Sequence, residues 1–370
     1  MPTHDVARML TLKRLLAHDD DHFVQGEPAR CEKTTYFVTN NLQGMRFGLS
    51  IPQGSGFELV GIPAAKQWDS IRELVRVADD GPFESIWVSD HFLTFPPSDE
   101  SAFEVWSMMA AFAACTSRVR LGQLCTCMGY RNPAYLAKVA ACIDVMSGGR
   151  LEMGVGAGWY EHEWRSYGYG FPSVADRLGM LDEGVQIMRQ MWTTGTATLK
   201  GKHYQVDGAF CRPLPLQEGG VPLWIAGGGE KKTLRIAAKY AQYTNFGVLL
   251  DEFAHKSRVL AEHCKDVGTD FDAIVRSITL NVTIGETEKD VADKLAWTRA
   301  HYASLLPAED LEPLMRYFAE GLIGTPEQIV ERLAKAGRTG LGYVIVRFVD
   351  AAYDQSSIHL FANKVIPELA

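Results

Sequence analysis

Asp90 and His91 stand side by side in WVSDHF, a carboxylate next to the side-chain type whose ordinary pKa lies nearest neutrality, which is the pairing that proton transfer requires. Three other runs carry comparable chemical content. Leu124-Cys125-Thr126-Cys127 follows an apolar stretch, Gly156-Ala157-Gly158-Trp159 leads into Glu161-His162-Glu163, and Gly227-Gly228-Gly229 leads into Glu230 and two lysines. Glycines that end a strand leave backbone N–H groups open to an anion. GGGEKKTLRIAA also opens a helix, whose N-terminal N–H groups and positive dipole end suit a phosphate. Two such turns point to one phosphorylated cofactor held between them.

The dinucleotide fingerprint G-x-G-x-x-G does not account for MGVGAGWYEHEW. Counted from Gly154 its last glycine would be residue 159, a tryptophan, and counted from Gly156 it would be residue 161, a glutamate. No metal site is expected, because neither Asp90-His91 nor Glu161-His162-Glu163 has the helical His-x-x-x-His type of spacing. Cys125 and Cys127 have no basic sequence neighbour to lower a thiol pKa and read as small buried hydrophobes. Trp159, Trp164, Tyr167 and Tyr169 fit either an apolar or planar substrate under a lid or a packed loop.

The elements that must position these residues are eight apolar strand-like runs, each followed by a helical pattern. The strands are expected at 46–51, 85–90, 119–124, 151–156, 222–227, 243–246, 276–285 and 343–349, with helices near 68–78, 103–115, from 132, 176–192, from 231, from 251, within 287–336 and at the end. Eight βα units predict an α/β fold, a (β/α)₈ TIM barrel, in which the active site lies at the carboxyl ends of the strands. Every candidate above falls at such an end. Residues 193–221, with TLKGKHYQV and CRPLPL, predict an insertion between the fourth helix and the fifth strand, built as a short hairpin. The turn in SGGRLEM precedes the fourth strand and belongs to the opposite, stabilising face. Residues 1–44 lack the alternating period of the rest of the chain and read as a poorly ordered leader before a barrel domain at 45–370.

Composition narrows the partners. Lys and Arg total 37 against 45 Asp and Glu, a net charge of −8 without long single-sign runs, which argues against nucleic acid. Seven cysteines, an odd number with no C-x-x-C pair, predict a reduced, cytoplasmic protein, and no apolar run is long enough to span a membrane. A small-molecule partner is expected.

WVSDHF, TSRVRLGQLCTCMGYRNPAYLAK, DVMSGGRLEMGVGAGWYEHEWRSYGYGFP, PLWIAGGGEKKTLRIAAKYA and GTPEQIVERL, in this order from residue 45 onward, resemble the bacterial luciferase-like superfamily, in particular its branch that uses the deazaflavin coenzyme F420. The resemblance implies a (β/α)₈ barrel with an insertion, usually a homodimer, and places Asp90 and His91 beside the redox-active ring. His91 is then the leading acid/base and Glu161 the second candidate. It implies a non-proline cis peptide at Leu124-Cys125 against the ring face, with Thr126 reaching the pyrimidine side. Gly156, Ala157, Gly158 and Trp159, with Glu161 and His162, would contact the ribityl and phosphate portion, and Gly227, Gly228 and Gly229 would form the second phosphate turn. Cys125 departs from the valine common there. The chemistry implied is hydride transfer with a small organic substrate, hence a reductase or dehydrogenase. The alternatives are an FMN-dependent monooxygenase of the same superfamily and a non-catalytic barrel that binds cofactor without turnover.

Overall fold

The computed structural model describes residues 44–247 and 249–370. The leader expected over 1–44 lies, apart from Gly44, outside the described residues. From there the chain runs β1 (Arg46–Ser50), α1 (Ala64–Asp80), β2 (Ser85–Val88), α2 (Val105–Cys115), β3 (Arg120–Gln123), β4 (Thr126–Cys127), α3 (Pro133–Met146) and β5 (Leu151–Gly156). The middle third is α4 (Glu161–Ser166), α5 (Val174–Thr194), β6 (Thr196–Lys200), β7 (Gln205–Phe210), β8 (Leu223–Ala226), α6 (Thr233–Tyr240) and β9 (Tyr243–Asn245). It ends with α7 (Phe253–Val267), β10 (Val275–Ile284), α8 (Glu288–Ala303), α9 (Ala308–Ala319), β11 (Leu322–Gly324), α10 (Pro326–Gly337), β12 (Tyr343–Arg347), α11 (Ser356–Lys364) and α12 (Ile366–Leu369).

Eight strands pair in parallel in the closed order β1, β2, β3, β5, β8, β9, β10, β12 and back to β1. This is the expected (β/α)₈ barrel. Strands buried on both faces read as continuous apolar runs, which is why these eight stood out in the sequence. β4 continues β3 past Leu124-Cys125 and pairs with β5, so the third strand bulges at the barrel rim. The insertion between α5 and β8 does contain a hairpin, β6 with β7. Two details differ from the sequence reading. A short helix, α4, precedes the fourth long helix, and β11, unpredicted, pairs with the far end of β10, which at ten residues outruns the barrel wall.

The barrel interior is filled by a few large side chains. Trp87, Trp224, Tyr343 and Ile345 are buried together, with Trp224 edge-on to Trp87 (centroids 4.5 Å apart) and stacked on Tyr243 (4.2 Å). A Cβ at Gly48 or Gly122 would collide with the Trp87 ring, so glycines in mid-strand on β1 and β3 make its space. Polar groups low in the barrel are satisfied: Glu152 accepts from Trp224 Nε1 (2.6 Å) and pairs with Arg120, and the Ser85 and Tyr343 hydroxyls bond at 2.6 Å. The SGGR turn lies at this end, where the Arg150 guanidinium donates to the carbonyls of Val119 and Thr116. Trp87 therefore packs against its neighbours β1 and β3 and, across the barrel, against β8, and Trp87→Ala should cost about 3–5 kcal/mol, read as a lowered midpoint in urea or thermal unfolding.

Candidate active site

The carboxyl ends of the strands surround a cavity of ≈ 1070 Å³. Trp87 and Ile345 line it from the barrel interior, and its walls come from the segments after β2 (Asp90, His91, Phe95), β3 (Leu124, Cys125), β5 (Gly156 to Tyr160) and β8 (Gly227 to Gly229). Its size is at the upper end of small-molecule sites, enough for a large cofactor and a small second ligand.

His91 reaches this cavity with its ring held in place. Nδ1 lies 2.9 Å from Oε2 of Glu163, a fully buried carboxylate from α4. Glu163 also accepts the Phe92 N–H (2.8 Å) and the Tyr130 O–H (3.1 Å). Burial, with the nearby Cys127 and Glu163, pushes the Tyr130 phenol far above its ordinary range, so it acts only as a donor. With three donors converging on one carboxylate, the network assigns the proton to Nδ1 and leaves Nε2 as the nitrogen available to a reacting group. Phe95 and Trp159 pack edge-on to the imidazole, at 4.8 and 5.9 Å.

Asp90, its sequence neighbour, serves a different purpose. Its buried carboxylate accepts the Cys127 N–H (2.9 Å) and both Nη1 (2.7 Å) and Nη2 (2.9 Å) of Arg131. Burial pushes the Asp90 carboxyl above its ordinary value, against the pull of that guanidinium. Arg131 extends the chain to Glu104 (2.7 Å), which caps α2 by accepting the N–H groups of Trp106 and Ser107. The segment after β2 is thereby tied to the bulge after β3, where the Leu124–Cys125 peptide is cis. Burial also raises the Cys127 thiol well above its ordinary pKa, which leaves it a packed, unreactive group.

The glycine turns line the cavity, but part of their need for glycine comes from packing. A Cβ on Gly156 would meet Cys125 Sγ, and one on Gly158, whose φ is +77°, would meet Cys127 and Trp164. Gly227 has φ +122° and begins the path into α6, whose N-terminus bears no side-chain cap and brings Lys232 and Thr233 to the cavity. Glu230 in this turn is pinned by the fully buried Lys256 (2.6 Å) and by His255 (2.8 Å).

Several expected site residues lie elsewhere. Glu161 is exposed on the first turn of α4 and pairs with Arg165 (2.7 Å), so Glu163, two residues on, is the carboxylate that meets the histidine. His162 is exposed and stacks on Tyr160 rather than lining the cavity. Thr126 is fully buried, off the cavity wall, with a hydroxyl that has no partner among the described residues. Of the four aromatics that fitted either a substrate lid or a packed loop, only Trp159 lines the cavity; Trp164 is buried against Tyr130, and Tyr167 and Tyr169 are exposed around a separate hollow. Sequence reasoning missed Arg131, Tyr130 and Glu104, though the first two sit inside CMGYRNP, directly after the third strand. Among the described residues no group of three or more His, Cys, Asp or Glu could hold a metal ion, and no helix is long and apolar enough to cross a membrane.

The sequence pattern of the family described as luciferase-like monooxygenase matches residues 45–342. The chain belongs to this family. As a luciferase-like protein it is an oxidoreductase, and its named relatives are consistent. It is 27% identical over 344 residues to an F420-dependent glucose-6-phosphate dehydrogenase of Nocardia farcinica, covering 84% of this chain and 97% of that one. A protein of the same name from Amycolatopsis mediterranei is 34% identical over 188 residues, but the match spans only 49% of this chain and 54% of that one. Among solved structures, an F420-dependent secondary alcohol dehydrogenase in complex with an F420–acetone adduct superposes with a TM-score of 0.72 at 21% identity, over 88% of this chain and 99% of that one. An EDTA monooxygenase from Chelativorans sp. BNC1 gives 0.73 at 16% identity, over 88% and 93%. At these identities the two likenesses show the shared fold alone. The ion pair under the site gives a direct check on the geometry: Arg131→Met strands a buried carboxylate and should lower stability by about 3 kcal/mol in chemical denaturation.

Proposed function

We propose that the chain is a coenzyme F420-dependent oxidoreductase that transfers hydride between the deazaflavin and a small organic substrate. The observation that carries this reading is a histidine fixed by a buried carboxylate at a cavity walled on one side by a strand bulge and two glycine turns. The residues present fit such a cofactor. The bulge at Leu124 and Cys125 offers an apolar face to a planar ring, and the backbone of Gly156–Gly158 and Gly227–Gly229 can approach a ribityl phosphate closely. Lys232 and the uncapped start of α6 would supply positive charge for the phosphate. The Nocardia farcinica relative, matched over 84% of this chain, is named F420-dependent, which favours this cofactor over the FMN of the monooxygenase alternative.

When bound, the deazaflavin supplies a ring carbon that gives or takes hydride and reacts poorly with oxygen. The protein's own contribution is positional and acid–base. His91 Nε2 takes a proton from, or returns it to, the substrate atom bonded to the carbon that loses or gains hydride. Glu163 stabilises the imidazolium that this creates, and Tyr130 and the Phe92 N–H keep Glu163 in place. Phe95, Trp159 and Tyr160 screen the reacting groups from water. A homodimeric, cytoplasmic enzyme is part of the proposal.

Titration with F420 and with FMN, followed by tryptophan fluorescence, should show saturable F420 binding and the weaker response to FMN; tight FMN binding with no response to F420 refutes the cofactor assignment. Against substrates found by following the cofactor's absorbance, His91→Ala should retain F420 binding and lose turnover by a factor on the order of 10²–10⁴. Glu163→Gln should lose about 10²-fold in kcat, whereas Glu161→Gln should behave as the parent protein.

A further inference from the structure

One side of the barrel mouth takes no part in the chemistry assigned to His91. In the closed order of strands β12 stands four places from β5, so the end of β12 faces the Gly156–Gly158 turn across the cavity, and His91, after β2, is two places from each. Arg347 ends β12 there, half-buried, on the cavity wall and in register with Asn281 of β10. Thr279 and, from β1, Ser50 line the same region.

Arg347 forms no ion pair among the described residues. Glu58, which with Arg347 acts electrostatically on Tyr302, gives its carboxylate to the N–H groups of Gly54 and Gly56. Glu252 and Glu320 also border the cavity, each with interactions of its own. A partly desolvated guanidinium left without an anion is unfavourable, and its planar fork matches a carboxylate in two parallel hydrogen bonds. Arg316 also lines the cavity, but Arg347 is the guanidinium flanked by the Asn281 amide and the Thr279 and Ser50 hydroxyls, a setting that suits one carboxylate. Around His91 the walls are Phe95, Leu124 and Trp159, with Ile345 on the same strand as Arg347. These offer a polyhydroxylated body few hydrogen-bond partners and an apolar body good contact.

We infer that the substrate is a carboxylate with an apolar body, its carboxylate seated on Arg347 and Asn281 and its other end directed to His91, an inference that rests on the reading of His91 and the glycine turns given above. In that reading the phosphate of the cofactor lies away from this place, because its glycine turns follow β5 and β8, four and three strands from β12. Arg347 is then a residue that sets specificity and takes no part in the chemistry.

The test titrates hexanoate and benzoate, their neutral counterparts hexanamide and benzamide, and glucose 6-phosphate into the protein with and without bound F420, following tryptophan fluorescence. At least one carboxylate should bind about tenfold or more tightly than its amide, Arg347→Met should abolish that difference, and Arg347→Lys should weaken the carboxylate by about tenfold while keeping the charge. F420 affinity should be unchanged in both variants. Amides that bind as well as acids, a preference that survives Arg347→Met, or glucose 6-phosphate binding more tightly than either acid would each overturn the inference. If F420 itself fails to bind, the cofactor reading falls, and the cofactor-free titrations still decide the Arg347 subsite.

Discussion

A single buried carboxylate organises this site. Glu163 is inaccessible to solvent and accepts hydrogen bonds from His91, from the Phe92 backbone and from the Tyr130 hydroxyl. The segment after β2, the turn after β4 and helix α4 thus converge on two oxygen atoms. A buried carboxylate with fewer donors would be strongly unfavourable, so the three segments are held together by the same requirement that orients the imidazole. Reactive geometry and local stability share one cause.

Asp90 and His91 are adjacent in sequence yet diverge in role because alternate residues at the end of a strand point to different surroundings. Asp90 turns to Arg131 and the Cys127 N–H and fixes the bulge; His91 turns to Glu163 and the cavity. Glu104 joins the same network from the N-terminus of α2. The catalytic histidine of the proposal is therefore flanked by two charge networks, one beneath the bulge and one behind the ring. Across the mouth, Arg347, without an ion pair among the described residues, gives the cavity a pole that neither network neutralises.

Much of this fold could be read from the sequence because parallel barrel strands are apolar on both faces, and RFGLS, SIWV, LEMGVG and YVIVR announce themselves. The strand ends then showed where to look, and Asp90, His91, Leu124, Cys125 and both glycine turns do lie at the cavity. That Glu163 and not Glu161 meets His91 could not be read from the sequence, for a definite reason. Residues two apart on a helix differ by about 200° in direction, and nothing in EHEWRS reveals which phase α4 adopts until its packing on Tyr130 is known. Arg131 was hidden because its partner Asp90 is 41 residues away, a pairing set by the neighbouring strands and invisible to local spacing. The three-residue β11 carried no periodicity to find, and its register comes from the overlong β10.

The proposed role of His91 in catalysis requires that Glu163 fix its tautomer so that Nε2 faces the reacting groups. Nitrogen-15 NMR of the histidine rings reads that tautomer, with the His91 signals assigned by comparison with His91→Ala, at a pH where the ring is neutral. A protonated Nδ1 and an unprotonated Nε2 are expected in the parent protein, with loss of that preference in Glu163→Leu. A protonated Nε2, or an equal mixture of tautomers indifferent to Glu163, would contradict the role given to this carboxylate.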